Sequence, residues 1–319
     1  MTFFDVFNGD ADGICALRQL RLAEPRTSVL VTGAKRDIEL LRRVSSTSSD
    51  SVTVVDISLD ANRSDLIRIL ESGARVEYFD HHHTGEIPQH PNFRGHFDVS
   101  LETCTSLIVD GYLHQQFASW AIAGAFGDGL SDIAYRKGKQ LGLTSEQVDF
   151  LRRCGQLLNY NSYGDTLEDL HFAPESLYRK METYTDPFAF AQEADVFHKL
   201  EEGYDSDLSQ AEKITPYSQS EKGMLFLLPN LPWARRVRGI FANLAAQRFP
   251  EHAIAMLHQK DDTSFVVSIR IPLHGFLAAD EFCRRFPTGG GRAAAAGINR
   301  LPQDQLQAFV REFHAAFSH

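Results

Sequence analysis

Cysteine is scarce and scattered. The four thiols, Cys15, Cys104, Cys154 and Cys283, form no Cys-x-x-Cys pair, which excludes a zinc knuckle and argues against a disulfide framework. Free thiols in a reducing compartment are expected, hence a cytoplasmic protein. No apolar run reaches membrane-spanning length, so no membrane partner is expected. Met1-Thr2-Phe3-Phe4 meets its first acid at Asp5 with no basic segment before it, so no secretory leader is expected. Positive charge is in deficit. Lys and Arg number 32 against 42 Asp and Glu, a formal net charge of -10. Binding long duplex nucleic acid rests on phosphate neutralisation by a broad basic surface, which this balance argues against. A local basic pocket for a short anion stays open, because pocket charge and net charge are separate quantities.

What is present is an ordinary core-forming composition. Hydrophobic residues are 43% of 319, enough for one large or two ordinary domains. Short apolar runs at 3–7, 28–32, 52–56 and 75–79 read as strands, with helical periodicity at 14–23 and 60–72 and a further helix allowed at 37–44. Alternation at this spacing predicts an α/β fold: a parallel sheet with helices on both faces. A proline-containing loop follows, then a helix over 103–117, a buried apolar stretch at 120–126, and a mostly helical region from 145 to 203. Three segments are expected: a catalytic domain at 1–203, a linker at 204–222, and a smaller α/β domain at 223–319. In the last, strands are expected at 224–228, 253–258 and 265–271, a turn at 260–263, and helices at 235–249 and 276–285. Gly289-Gly290-Gly291 is expected to open a final helix or helix pair reaching the C-terminus.

Acids recur where strands should stop. Asp10 and Asp12 follow the first strand in an Asp-Ala-Asp-Gly turn, Asp56 ends the third, and Asp80-His81-His82-His83 ends the fourth. Asp128 follows the buried stretch 120–126. The C-terminal ends of parallel strands share one sheet edge, so these groups should converge on one crevice. Any one of these aspartates could be only a helix cap or turn residue. Together, carboxylates and imidazole suit a pair of divalent cations, with Mn2+ or Mg2+ favoured and Fe2+ admissible. Without cations the acids would raise one another's pKa. Two such ions clamp the attacking and leaving oxygens of a phosphoryl displacement. Glycines 289 to 291 would let backbone N–H groups approach an anion. The stretch 159–164 reads either as a base-stacking or cleft-closing element or, more plainly, as a solvent-exposed kink.

The set Asn8-Gly9-Asp10-Ala11-Asp12-Gly13, Val54-Val55-Asp56, Asp80-His81-His82, Gly127-Asp128 and Gly289-Gly290-Gly291-Arg292, continuing to Gly297, resembles the DHH/DHHA1 phosphoesterase superfamily, in its order and over nearly the whole chain. The resemblance implies a DHHA1 domain across a cleft from the DHH domain. It implies Asp56 bridging two metals, Asp10 on one, and Asp12, His81 and Asp128 on the other. His82 would polarise the phosphate or protonate the leaving group, and Asp80 would orient His81. His83 has no assigned role. Arg270 in Ser268-Ile269-Arg270 would point at substrate, an edge-strand charge being the alternative, and Gly289, Gly290, Gly291 and Arg292 would bind it too. Two positions depart from the pattern. Val6 stands where many members have His, and Asn8 where RecJ-like patterns have Asp, so the first metal loses ligands unless the Asn8 amide contributes. Arg292 replaces a usual His and can fork onto a phosphate.

The expected function is a metal-dependent phosphodiesterase releasing 5′-mononucleotides. A chain of 319 residues is expected to lack the added domains of processive exonucleases. The expected substrate is therefore a short 5′-phosphorylated RNA or a linear dinucleotide such as a product of cyclic dinucleotide breakdown. An exopolyphosphatase, a phosphatase of a small phosphorylated metabolite, and a nucleotide-binding module with weak catalysis are the alternatives. A homodimer is compatible with the resemblance.

Overall fold

The structure is a computed structural model and describes residues 1–261, 263–272 and 277–317. It divides into two compact units, Met1–Gly203 and Tyr204–His319. Among the described residues, no helix is long and apolar enough to cross a membrane.

The first unit runs β1 (Phe3–Asn8), α1 (Ala11–Ala23), β2 (Val29–Gly33), β3 (Ser51–Val55), α2 (Leu59–Glu71), β4 (Arg75–Asp80), β5 (Phe93–Phe97) and a series of helices. These are α3 (Thr105–Tyr112), α4 (Ala118–Gly127), α5 (Ser131–Gln140), α6 (Ser145–Ser162), α7 (Pro174–Met181) and α8 (Pro187–Glu193), then α9 (Asp195–Ala211), inside which the division into units falls. The strands are all parallel in the order β2-β1-β3-β4-β5. The chain passes from β1 to β2 on one side and from β3 to β4 on the other, so the β1/β3 boundary is a topological switch point, where such sheets place ligands. Val6, Val31, Val54, Val76 and Tyr78 form one core with Leu59, Leu66 and Ile69 of α2.

Asp5, the acid inside β1, is buried and held by Arg21 of α1. Arg21 Nη2 donates to Asp5 Oδ1 at 2.7 Å and Nε to Oδ2 at 2.8 Å, while Ser28 Oγ donates to Oδ2 at 2.7 Å. A paired and fully hydrogen-bonded ion pair is tolerated in a sheet interior where a lone charge is not.

Several expectations are corrected here. Helix α1 begins at Ala11, because Asp10 caps it, so Asp12 and Gly13 are helical and not a turn. The stretch 37–44 forms only a 3-10 turn at Leu41–Arg43. The apolar stretch ending at Asp128 is helix α4, whose small residues pack closely on α6; Asp128 therefore caps a helix C-terminus. A Cβ at Gly155 would lie 2.1 Å from Ala123 O. Helix α6 continues through Ser162, and Tyr160, Asn161 and Ser162 are buried, so no exposed kink exists there. All four cysteines are free and buried.

The second unit comprises β6 (Ser218–Gln219), β7 (Gly223–Leu228), α10 (Pro232–Arg248), β8 (Ala253–Asp261), β9 (Ser264–Arg270), α11 (Ala279–Cys283), β10 (Gly289–Arg292), β11 (Ala295–Pro302) and α12 (Leu306–Ala316). The described strands order as β10-β11-β9-β8-β7-β6, with only β7 and β8 parallel among the adjacent pairs. Phe282, Phe309, Phe313 and Phe317 pack with Phe265, Val267 and Ile298 as its core. The segment 204–222, expected as a linker, carries the end of α9 to Ala211 and β6, which pairs with β7. The expected turn at 260–263 and helix at 276–285 fall partly on residues 262 and 276, outside the described residues, as do 318 and 319; the described helix is Ala279–Cys283.

Glycines 289 to 291 do not open a helix. They form β10, antiparallel to β11, and the alanines after Arg292 make the hairpin turn and the return strand. A Cβ at Gly289 would lie 1.8 Å from Cys283 O, so glycine is needed there for close backbone approach. Arg270 is not an edge charge either, since β9 pairs on both sides.

Candidate active site

The site is assembled from the ends of β1, β3 and β4. Asp10 ends the β1 connection and caps α1, with Oδ1 accepting from Gly13 N at 3.1 Å. Asp12, in the first turn of α1, is 1% exposed and reaches across to the N-terminus of α3. Its Oδ2 accepts from Thr105 N at 2.8 Å and its Oδ1 from Ser106 N at 2.7 Å. Those amides have no partner within their own helix, so an anion there is stabilised. Asp56 follows β3 with φ +60°, a conformation that Asp tolerates better than most residues and that turns its side chain out of the strand direction. Thr105 Oγ1 donates to its Oδ1 at 3.0 Å.

His81 joins these acids. Its Nε2 lies 3.5 Å from Asp56 Oδ1, 3.9 Å from Asp12 Oδ2 and 3.9 Å from Asp128 Oδ2. Donor atoms of Asp12, His81 and Asp128 lie within 4.8 Å of one another, as do those of Asp56, His81 and His82. This imidazole-carboxylate set fits a first-row divalent cation. Burial, and then the charges of Asp12, Asp10, Asp80 and Asp128, push the Asp56 carboxyl well above its ordinary range. Burial with the charges of Asp12 and Asp10 lifts Asp128 to about 7. A cluster so reluctant to ionise needs positive charge beside it.

Asp80 does not stand behind His81, as expected, but behind His82. Its Oδ1 lies 2.7 Å from His82 Nδ1. The two are two residues apart at an extended strand end and so project to one side. Asp80 is fully buried, and its Oδ2 has no hydrogen-bond partner among the described residues. Burial lowers the His82 pKa, but the hydrogen bond and charge of Asp80 outweigh it and hold the pKa above its ordinary value. His83 is exposed.

Lys35 is the residue the sequence reading missed. It follows β2, whose end lies on the same sheet edge as the acids, and that position was its one available signal. Lys35 Nζ donates to Asp10 Oδ2 at 2.6 Å and to Asn159 Oδ1 at 3.3 Å, and sits 5.6 Å from the centre of the Tyr163 ring. Asn159 Nδ2 in turn donates to Tyr163 Oη at 2.9 Å. Burial works against both charges of the Lys35–Asp10 pair, but their mutual attraction prevails: the lysine pKa is raised and the aspartate pKa lowered. Asn8 does not offer its amide oxygen freely, since Oδ1 accepts from Asp10 N at 3.3 Å. Val6 is fully buried in the sheet core.

In the second unit, Arg270 and Arg292 both stand opposite Ala295, from β9 and β10 respectively. Residues in register across neighbouring strands share a face, so the two arginines flank Ala295 on one side of the sheet, roughly 10 Å apart at two strand spacings. Arg270 Nε donates to Asn243 Oδ1 at 2.8 Å, and Arg292 is exposed.

Solved structures share this architecture. The exonuclease RecJ bound to manganese matches at a TM-score of 0.64 and 18% identity, covering 98% of this chain and 89% of that one. RecJ of Thermus thermophilus in complex with Mn2+ matches at 0.66 and 18%, with 98% of this chain and 51% of that one covered, so the chain spans about half of that protein. The pGpG-specific phosphodiesterase PggH of Vibrio cholerae matches at 0.60 and 15%, covering 99% and 100%. No protein-family model and no curated protein sequence matches the chain. At these identities the likeness is one of fold, and it covers both units in the order the motifs implied.

Proposed function

We propose that this chain, which has the fold of RecJ and PggH, is a divalent-metal-dependent phosphodiesterase acting on short 5′-phosphorylated oligonucleotides, linear dinucleotides foremost, to release 5′-mononucleotides. The observation that carries this is the convergence of Asp12, Asp56, His81 and Asp128 at the switch point of a parallel sheet, with the Asp80–His82 pair beside them. Asp12, Asp56, His81 and Asp128 would hold Mn2+, with Mg2+ as the alternative. A divalent cation there supplies a Lewis acid for the phosphoryl oxygens and acidifies water.

The chain's own groups do the rest. The Thr105 and Ser106 amides and the Thr105 hydroxyl hold Asp12 and Asp56 in place, so neither carboxylate must reorganise during reaction. His82 is bonded to Asp80 through Nδ1, which leaves Nε2 as the other protonatable nitrogen of a partly exposed ring. Its raised pKa keeps a proton available there for the leaving oxygen, as general acid catalysis requires. In the second unit, Arg270 and Arg292 would offer two positive charges to a terminal phosphate.

The test is a panel of 5′-phosphorylated dinucleotides, longer oligonucleotides, polyphosphate and bis-phosphorylated adenosine incubated with Mn2+, products being resolved by length. Mononucleotides from dinucleotides, released faster than from longer chains, are expected. Release of inorganic phosphate alone would replace this reading with the polyphosphatase or small-metabolite phosphatase. Binding of dinucleotide without turnover would replace it with a binding module.

A further inference from the structure

The acids at the switch point do not form two equivalent cation positions. Among the described residues, two groups of donors meet closely enough to hold a metal, Asp12-His81-Asp128 and Asp56-His81-His82; they share His81, and neither contains Asp10. Around Asp10 the expected ligands are missing or committed. Val6 stands where an imidazole would be needed and is packed in the core. Asn8 turns its amide oxygen to Asp10 N. Asp10 itself uses Oδ1 to cap α1 and Oδ2 to receive Lys35 Nζ at 2.6 Å. The lysine is held from the far side by Asn159 Oδ1 at 3.3 Å and by the Tyr163 ring. Its own backbone N–H donates to Ser162 O at 3.3 Å. A divalent ion needs four to six donors, and an ammonium beside Asp10 repels it.

We propose that the Lys35 ammonium takes the place of the second divalent cation, so that the centre binds a single metal ion, through Asp12, Asp56, His81 and Asp128. The inference rests on the metal-dependent reading above and changes its count: one mobile ion and one built-in charge. Lys35 is compact and strongly hydrated, a point charge suited to standing in for an ion beside a carboxylate. Its arrival from the end of β2, the strand adjoining β1, explains why a chain lacking the histidine and the first aspartate of the motif still keeps Asp10.

The experiment is Mn2+ stoichiometry of the full chain by equilibrium dialysis with metal analysis, with electron paramagnetic resonance of the bound ion. Wild type is expected to hold about one Mn2+ per chain, with an isolated-ion spectrum and no exchange coupling. Lys35→Met keeps the aliphatic stem and removes the charge; it should take up a second Mn2+ at elevated concentration, and Lys35→Arg should not. Two coupled Mn2+ ions in wild type would overturn the inference while leaving the metal-dependent reading intact. A single ion in both wild type and a folded Lys35→Met would also overturn it, since the position would then not be an ion position. No Mn2+ bound by wild type would overturn the metal-dependent reading and the inference with it.

Discussion

Stripped of metal by a chelator, the first unit should lose stability as pH rises from 5 to 8, the reverse of what acid denaturation by salt-bridged carboxylates produces. The cause is Asp128, whose carboxyl is lifted from 3.8 to about 7 by burial and by the neighbouring aspartates. Between those values the folded protein keeps the proton and the unfolded chain has released it. The unfolded state thus binds fewer protons, and stability falls with rising pH. At about 1.4 kcal/mol for each unit of pKa, the part lying above pH 5 amounts to roughly 3 kcal/mol. That corresponds to a fall in Tm on the order of 5–10 °C for a unit of this size. Asp56, raised for the same reasons, and His82, raised by Asp80, act in the same direction. Asp10 is lowered, so its stabilising contribution is already complete above pH 5 and adds no slope. Metal ligation needs the deprotonated acids, so added Mn2+ should stabilise more at pH 8 than at pH 5. The assay is thermal unfolding at pH 5, 6.5 and 8 with chelator or Mn2+, on wild type and Asp128→Asn. The variant should show a shallower slope and, with chelator at pH 8, a higher Tm than wild type. A chelated wild type equally stable at both ends, or a variant with the wild-type slope, would refute the reasoning.

Other perturbations have defined outcomes. Asp5→Ala leaves Arg21 buried without its bidentate partner and should cost about 3–5 kcal/mol in urea unfolding. Gly155→Ala places a Cβ 2.1 Å from Ala123 O and 2.9 Å from Gly127 N. It should destabilise by roughly 1–3 kcal/mol and weaken Mn2+ binding, because Asp128 follows Gly127 directly. Asp80→Asn removes the charge that raises the His82 pKa. The alkaline limb of the pH–rate profile should move to lower pH in the variant, and an unmoved limb would remove His82 from the role of acid.

What the sequence made legible was the sheet edge. Five-residue apolar runs that end in an acid or are followed by one within three positions located β1, β3 and β4, and strand-end convergence then followed from parallel topology alone. Strand β5 escaped because Phe93-Arg94-Gly95-His96-Phe97 has glycine at its centre and two prolines before it, and is paired on one side only. The run after Arg292 misled in the opposite sense. Alanine is the best helix former, yet here antiparallel pairing of β10 with β11, and of β11 with β9, overrides propensity. Asp128 was reached from its place after the buried run 120–126, but its carrier is a helix, since an apolar run of that length does not distinguish a buried strand from a buried helix. Lys35 went unseen because a search for ligands looks for acids and imidazoles, and its value lies only in where β2 delivers it. The partner of Asp80 likewise depended on which way two adjacent histidines turn.

Asp56 is the residue on which the proposed metal-dependent phosphodiesterase centre depends most. Its most direct test is hydrolysis of a 5′-phosphorylated linear dinucleotide by wild type and by Asp56→Asn, with Mn2+ and with chelator. Asn is chosen because it too tolerates the φ of +60° at this position. Mononucleotide release is expected from wild type with Mn2+ and none with chelator, with at least a hundredfold loss, on the order of 3 kcal/mol, in the variant. Turnover unaffected by Asp56→Asn or by removal of metal would contradict it.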